Sequence, residues 1–230
     1  IIVSCGLVHA IALKFAQSLP VENIFTLPGN GGTPNNVPID GSDFDALKTF
    51  CLEKEIELIF VGPEAPLVKG IADFFADTNI QVFGPSKAAA RLEGSKVWSK
   101  EFMQKYGVAT ANIGQFDTFE AAKAYVEAHN GELVVKYDGL AGGKGVYVCA
   151  SVNECLAAIA ELKATYGEEV SFLLEEKLVG PEISIIGFTD GKAIKLLAPS
   201  QDHKQLLDGD KGPNTGGMGA YCPVPFCDQS

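Results

Sequence analysis

The chain of 230 residues has little of what many kinds of chemistry require. It holds only three histidines, and no Ser/His/Asp or Cys/His grouping stands out, which argues against catalysis by an activated side-chain nucleophile. A Gly-x-x-x-x-Gly-Lys-Ser/Thr run is absent, which excludes the P-loop; Gly-x-Gly-x-x-Gly is absent too, which excludes the dinucleotide fingerprint. No apolar run reaches bilayer length, and the amino end lacks a signal-peptide core. Positive charge is short: 18 Lys and Arg face 29 Asp and Glu, and the formal net charge of −11 opposes a nucleic acid or an anionic membrane as partner. A phosphate site must therefore be a local concentration of lysine. Cys51, Cys149 and Cys155 sit singly in apolar segments, and Cys222 and Cys227 lack metal spacing, so reduced thiols in a cytoplasmic protein are expected. Neither repeats nor low-complexity tracts occur.

What is present is a composition of 47% hydrophobic residues, enough for a sizeable core in one or two domains. Up to about Tyr106, short apolar runs ("IIVS", "NIFTLP", "LIFVGP", "QVFGP") alternate with helical patterns at Ala10 to Gln17, Asp43 to Glu55 and Leu67 to Ala76. This alternation predicts a Rossmann-like parallel sheet with crossover helices. Ligands of such sheets bind beyond the carboxyl ends of the strands, where "SCG", "LPGNGGT", "VGPEAP" and "FGPS" fall. After Gly107 the pattern becomes α+β. "ELVVKY", "GVYVCA", "VSFLLEE", "EISIIGFTDG" and "KAIKLLA" read as strands, with a tight turn at Asp190-Gly191. A helix from Ser151 to about Tyr166 opens with a capping box of Ser151 and Glu154. Ala198 to Tyr221 shows no sustained period, and its mixture of charged, amide and glycine residues suits a ligand loop better than a linker. Both ends read as cut, since Ile1 lies inside a strand-like run and "VPFCDQS" closes no element.

"VVKYDGLAGGKGVYV" puts four glycines between two strand-like runs. Two readings stay open on the residues alone: a hairpin lying close over a polyphosphate, with Lys144 supplying charge, or an ordinary flexible hairpin. Lys136 ends the strand before this loop, while Glu175 and Glu176 end a later strand and Glu182 begins the next. Two lysines and nearby carboxylates describe a nucleotide clamp.

This arrangement resembles the ATP-grasp superfamily. "LPGNGGT", "VGPEAPLVKGI", "FGPSKAAARLEGSK", "LLEEKLVGPEIS", "SQDHK" and "GPNTGGMGAY" follow the order and spacing of the glycinamide ribonucleotide synthetase family, and the resemblance covers nearly the whole chain. It implies a pre-ATP-grasp domain over 1–106, an ATP-grasp lid subdomain over 107–190, and the start of a second subdomain over 191–230, truncated at the carboxyl end. The implied reaction joins glycine to 5-phosphoribosylamine at the expense of ATP, through glycyl phosphate, in purine biosynthesis. ATP would meet Lys96, Lys136, Asp138, Gly139, Gly143, Lys144, Gly145, Glu175, Glu176, Leu178 and Glu182. Phosphoribosylamine would face Gly6, His9, Gly29, Asn30, Pro63 and Glu64. Asn214, Thr215, Gly216, Gly217, Met218 and Gly219 would line the glycine and ribose-phosphate side, beside Asp202, His203 and Lys204. Lys144 and Asp202 are the expected catalytic residues; His203 is open between positioning and a structural part. Mg²⁺ or Mn²⁺ is implied, with ligands beyond residue 230, so the isolated piece is expected to be inactive. Similarity to the animal branch implies fusion to further purine-synthesis domains.

One departure stands out. The family opens with Gly-x-Gly-Gly-Arg-Glu-His, but here Leu7 and Val8 replace the arginine and glutamate, a loss worth roughly 1–3 kcal/mol of phosphate binding. That departure leaves a second reading, a catalytically dead relative acting as a nucleotide-binding interaction module. A third, a biotin carboxylase relative, is opposed by "GPNTGGMGAY".

Overall fold

The computed structural model describes residues 1–3, 7–116, 118–141 and 145–227. The chain divides into two compact units, Ile1–Phe102 and Met103–Ser230.

In the first unit the elements run β1 (Ile2–Val3), α1 (Val8–Ala16), β2 (Thr26–Leu27), α2 (Phe44–Glu53), β3 (Leu58–Val61), α3 (Glu64–Lys69), α4 (Ile71–Phe74), β4 (Gln81–Phe83), α5 (Lys87–Gly94) and α6 (Lys96–Lys105), which runs past the boundary. The sheet is parallel, in the order β2-β1-β3-β4. Strand neighbours point to opposite faces, and both faces are covered. Val3, Ile59 and Val61 pack with Leu47 and Cys51 of α2 and Ile71 of α4, while Ile2 and Phe60 pack with Val8 and Ala12 of α1. Burial pushes the Cys51 thiol up to about 11. The helix expected over Leu67 to Ala76 is instead two pieces, because Gly70 adopts a left-handed conformation (φ 98°) that ends α3. Helices α5 and α6 were not expected from the periodicity. Ser86 caps the first, accepting the Ala89 amide at 3.3 Å.

The second unit begins with β5 (Ile113–Gly114), α7 (Phe119–Ala128), β6 (Leu133–Tyr137), β7 (Val146–Val148), α8 (Val152–Tyr166) and β8 (Phe172–Glu176). Its sheet is antiparallel, ordered β5-β8-β6-β7. Leu133, Val135 and Leu174 turn to the same face and bury against Ala122 and Val126 of α7 and Cys155, Ile159 and Leu162 of α8. Ser151 caps α8 by accepting the Glu154 amide at 3.3 Å, and the Glu154 carboxylate accepts the Ala150 amide at 2.8 Å, one residue before the usual capping-box partner. Helix α7 was missed, although Thr118 supplies a cap to Ala121 N and Ala122 and Val126 form the apolar stripe.

Beyond β8, β9 (Gly187–Thr189) and β10 (Ile194–Leu196) form a two-stranded antiparallel sheet. They are joined by four residues, not a two-residue turn, and Asp190 Oδ1 accepts the amides of Lys192 and Ala193. These amides hold the Asp190 carboxyl below its ordinary value. The long segment expected to lack regular structure is a folded hairpin: β11 (Gln201–Asp202) pairs with β14 (Ala220–Tyr221), and inside it β12 (Gln205–Leu207) pairs with β13 (Lys211–Asn214). Strands of two to four residues are too short to show a period, and glycine breaks hide what remains. The five described cysteines are free thiols. Among the described residues, no helix is long and apolar enough to cross a membrane.

Gly131 separates α7 from β6 at φ 73°, and a Cβ there would stand 2.0 Å from the Ser151 carbonyl carbon. Gly167 also has positive φ, at 100°, but opens to free space. Gly131→Ala is expected to lower stability by more than about 2 kcal/mol and Gly167→Ala by about 1 kcal/mol, as read from urea unfolding midpoints.

Candidate nucleotide and substrate sites

The alternation that builds the core of the second unit also builds its candidate site. Lys136 pairs with Leu173 and Val134 with Glu175 across β6 and β8, so these four share the face turned away from α7 and α8. There Lys136 Nζ lies 2.6 Å from Glu175 Oε2, with the lysine 26% and the glutamate 6% exposed. An ammonium has three donors, and one is spent on this carboxylate. Among the described residues, no further partner of the ammonium is a side-chain carboxylate.

Glu176 was expected beside Glu175, yet the strand turns it to the opposite face. Its carboxylate accepts the Asn112 backbone and side-chain N–H groups at 3.3 and 2.8 Å, which fastens the start of β5. The glycine-rich loop leaves and re-enters an antiparallel pair as expected, and Tyr137 N–H donates to Gly145 O at 2.8 Å. Asp138 turns the chain out of β6, its amide donating to Ser171 O at 3.0 Å. Gly139 follows at φ 148°. Gly6, Gly143 and Lys144 lie outside the described residues. Leu178 is 68% exposed in the irregular stretch after β8.

Glu182 does not begin a strand; the first ladder contact downstream is a single bridge between Ser184 and Ser200. It is held instead by the hairpin. Gln201 Nε2 donates to Glu182 O at 2.7 Å, and Lys204 Nζ sits 3.0 Å from Asp202 Oδ2 and 3.5 Å from Glu182 Oε1. The structure thus brings together Glu182, Asp202 and Lys204, which sequence spacing left separate. The Asp202 hydrogen bond pushes the Lys204 ammonium above its ordinary value, with Glu182 adding to it against partial burial. His203 joins the ladder through its backbone, donating to Gly219 O and accepting from Met218 N, while its ring stacks near Tyr221 at 5.9 Å. The Tyr221 hydroxyl donates to Gln201 Oε1. Thr215 closes the far side, its amide and hydroxyl donating to Lys204 O at 2.7 and 2.8 Å and its hydroxyl accepting Gly217 N–H at 3.0 Å. Asn214 pairs with Gln205, Gly216 opens to free space, and Met218 is 57% exposed.

In the first unit the carboxyl ends of three strands lie side by side, since β1 is hydrogen-bonded between β2 and β3. After β2 the chain passes a cis Leu27-Pro28 bond to Gly29, where φ is 80° and a Cβ would fall 2.1 Å from Asn36 Oδ1. Asn30 shapes this loop: its Oδ1 accepts Gly32 N–H at 2.8 Å and its carbonyl accepts Asn36 Nδ2–H at 2.7 Å. The His9 ring reaches the same loop, so that a Cβ on Gly32 would meet its Nδ1 at 2.6 Å. Pro63 and the exposed Glu64 start α3 at the exit of β3. Leu7, standing where the resemblance expects arginine, is 69% exposed. Lys96 opens α6, where Ser95 Oγ accepts the Trp98 amide at 3.1 Å. A cavity of about 960 Å³ lies at the other edge of this sheet, lined by Ile1, Val21, Glu57, Leu58 and Gln81 near the amino ends of the strands, and is remote from these exits. Among the described residues, no three His, Cys, Asp or Glu side chains are grouped to hold a metal ion.

Comparison with known proteins matches residues 94–230 to the family described as phosphoribosylglycinamide synthetase, ATP-grasp (A) domain, and residues 1–93 to its N domain. A phosphoribosylamine–glycine ligase of Rhodopirellula baltica is 46% identical over 100% of this chain and 55% of its own length. A human trifunctional purine biosynthetic protein, adenosine-3, is 47% identical over 98% of this chain and 23% of its own. The solved structure of phosphoribosylamine–glycine ligase from Thermotoga maritima is similar at a TM-score of 0.75 and 34% identity, covering 98% of this chain and 56% of that one. Fold and family match together define the ATP-grasp class. Within it, the chain belongs to the phosphoribosylglycinamide synthetase family. It spans about half the length of the single-function ligases it matches.

Because the Lys204 pKa is raised in the folded protein, its bridge contributes stability that is fully present below the ordinary lysine value of 10.5 and is lost as pH climbs through the higher folded value. The bridge is half-exposed, so its neutral-pH worth is about 0.5 kcal/mol. Asp202→Asn is expected to remove that increment and flatten the alkaline decline in a series of urea midpoints.

Proposed function

We propose that the intact protein carrying this chain ligates glycine to 5-phosphoribosylamine, converting ATP to ADP and phosphate, as a step of purine biosynthesis in the cytoplasm. The observation that carries this reading is the Lys136–Glu175 pair on the face of the antiparallel sheet away from its helices, in a chain matched throughout by the family. A glycine carboxylate is a poor electrophile. Attack of its oxygen on the γ-phosphorus releases ADP and makes glycyl phosphate; attack of the phosphoribosylamine nitrogen on that carbonyl expels phosphate and forms the amide. Both steps need alignment and charge neutralisation more than a nucleophilic side chain.

Lys136 neutralises the phosphates with the donors that Glu175 leaves, and Glu175 and the Leu178 backbone take the adenine edge. Asp138, Gly139 and Gly145 border the phosphates, and Lys144 is assigned to the transferred group. Glu182 accepts the ribose hydroxyls. The Asp202 to Lys204 segment and Asn214 to Gly219 hold the glycine side, and the exits bearing His9, Gly29, Asn30, Pro63 and Glu64 receive phosphoribosylamine. Lys96 is an added phosphate donor. Mg²⁺, when bound, would supply further charge neutralisation.

The exposed Leu7 supports a second reading, in which phosphate binding is impaired and the chain serves as a nucleotide-binding module. Relatives such as the trifunctional protein support fusion to other purine-synthesis domains.

Replacing the pair together, Lys136→Met with Glu175→Gln, avoids stranding a buried carboxylate. It is expected to raise the ATP Kd of the intact protein at least about thirtyfold by calorimetry, the effect of losing a hydrogen-bonded charge. Unchanged affinity would remove the nucleotide reading. ADP release that requires both glycine and phosphoribosylamine separates ligase from module, and the 230-residue piece alone is expected to show none.

A further inference from the structure

Lys136 faces away from α7 and α8, but its neighbour Tyr137 faces these helices, where its ring lies flat on Tyr166 in the last turn of α8. The centroids are 4.0 Å apart and the planes 8° apart. Both glycines that border the hairpin loop are fitted to Tyr137: a Cβ on Gly139 would stand 2.8 Å from its Cε1, and one on Gly145 would stand 2.8 Å from its Cβ. One strand over, Tyr147 pairs with Val135 and packs on the same core, and burial first, with the Glu161 carboxylate of α8 adding to it, pushes its phenol above its ordinary value. Both strands that carry the hairpin therefore turn a tyrosine to the helix layer, and Tyr137 alone of the two stacks on the last turn of α8.

A core position asks only for apolar bulk, whereas stacked rings are directional. A lysine on a four-carbon stem is aimed by the backbone beneath it. We propose that Tyr137 and Tyr166 are positioning residues for a nucleoside triphosphate: their stack fixes the end of β6, and through it the direction in which Lys136 meets the phosphates. The inference rests on the nucleotide reading of the Lys136 face. Tyr137 and Tyr166 touch no phosphate themselves; they act through the ammonium.

The test is a cycle of ATP affinities by calorimetry on the intact protein, using Tyr166 because it is 40% exposed and its replacement spares the core. Tyr166→Leu is expected to raise the ATP Kd roughly tenfold, the scale of a small misplacement of a binding group. Tyr166→Phe keeps the stack and should stay within about twofold of the parent. On the Lys136→Met, Glu175→Gln background, Tyr166→Leu should add less than about twofold, because the group it positions is gone. Urea unfolding without nucleotide gives the stability of each variant. A Kd unaffected by Tyr166→Leu, or raised equally in both backgrounds, overturns the positioning role while the nucleotide reading stands. If replacing the lysine and glutamate itself leaves ATP affinity unaltered, both fall.

Discussion

Two-residue alternation along β6 and β8 is the constraint on which the second unit depends. Leu133, Val135 and Leu174 must reach α7 and α8 to bury their side chains, each worth about 1.5–3 kcal/mol. Once they do, Lys136 and Glu175 can only point the other way. A slip of one residue would drive the lysine into the apolar layer and the valine out of it, at a cost of several kcal/mol. The hydrophobic core therefore sets the site's geometry, and the 2.6 Å contact between lysine and glutamate follows from strand register.

The first unit solves a similar problem by different means. Its strands are short, the central β1 is packed on both faces, and the candidate residues gather where strands end. There structure and function compete for the same polar groups. Asn30, Thr33 and Asn36 bond to one another, with Thr33 Oγ1 donating to Asn36 Oδ1 at 2.6 Å. Such a loop offers a ligand a rigid shape and the remaining backbone groups more than free side chains.

In the segment beyond β8 the ties within this chain are mostly polar. β9 and β10 are exposed along their whole length, and the nested hairpin after them is held by its ladder, by Thr215 and by Lys204 between two carboxylates. Two-stranded ribbons are marginal by themselves, so these ties set where Glu182 and Asp202 stand. It is also the region in which local pattern was least informative, because ribbons of two to four residues carry no readable period.

Parallel layering of the first half, the antiparallel strands of the second, the α8 cap and the family motifs were all legible in the amino-acid order, since apolar spacing, cap residues and glycine-rich loops act within a few residues. Helices α5 and α7 were missed although their caps Ser86 and Thr118 are local signals; small and polar residues blurred their apolar stripes. Tertiary structure alone decided that Glu176 fastens Asn112, that Lys204 bridges Asp202 to Glu182, and that Tyr137 lies on Tyr166. Each depends on which strand or helix becomes the neighbour at a distance of 20 or more residues, and no local propensity carries that information.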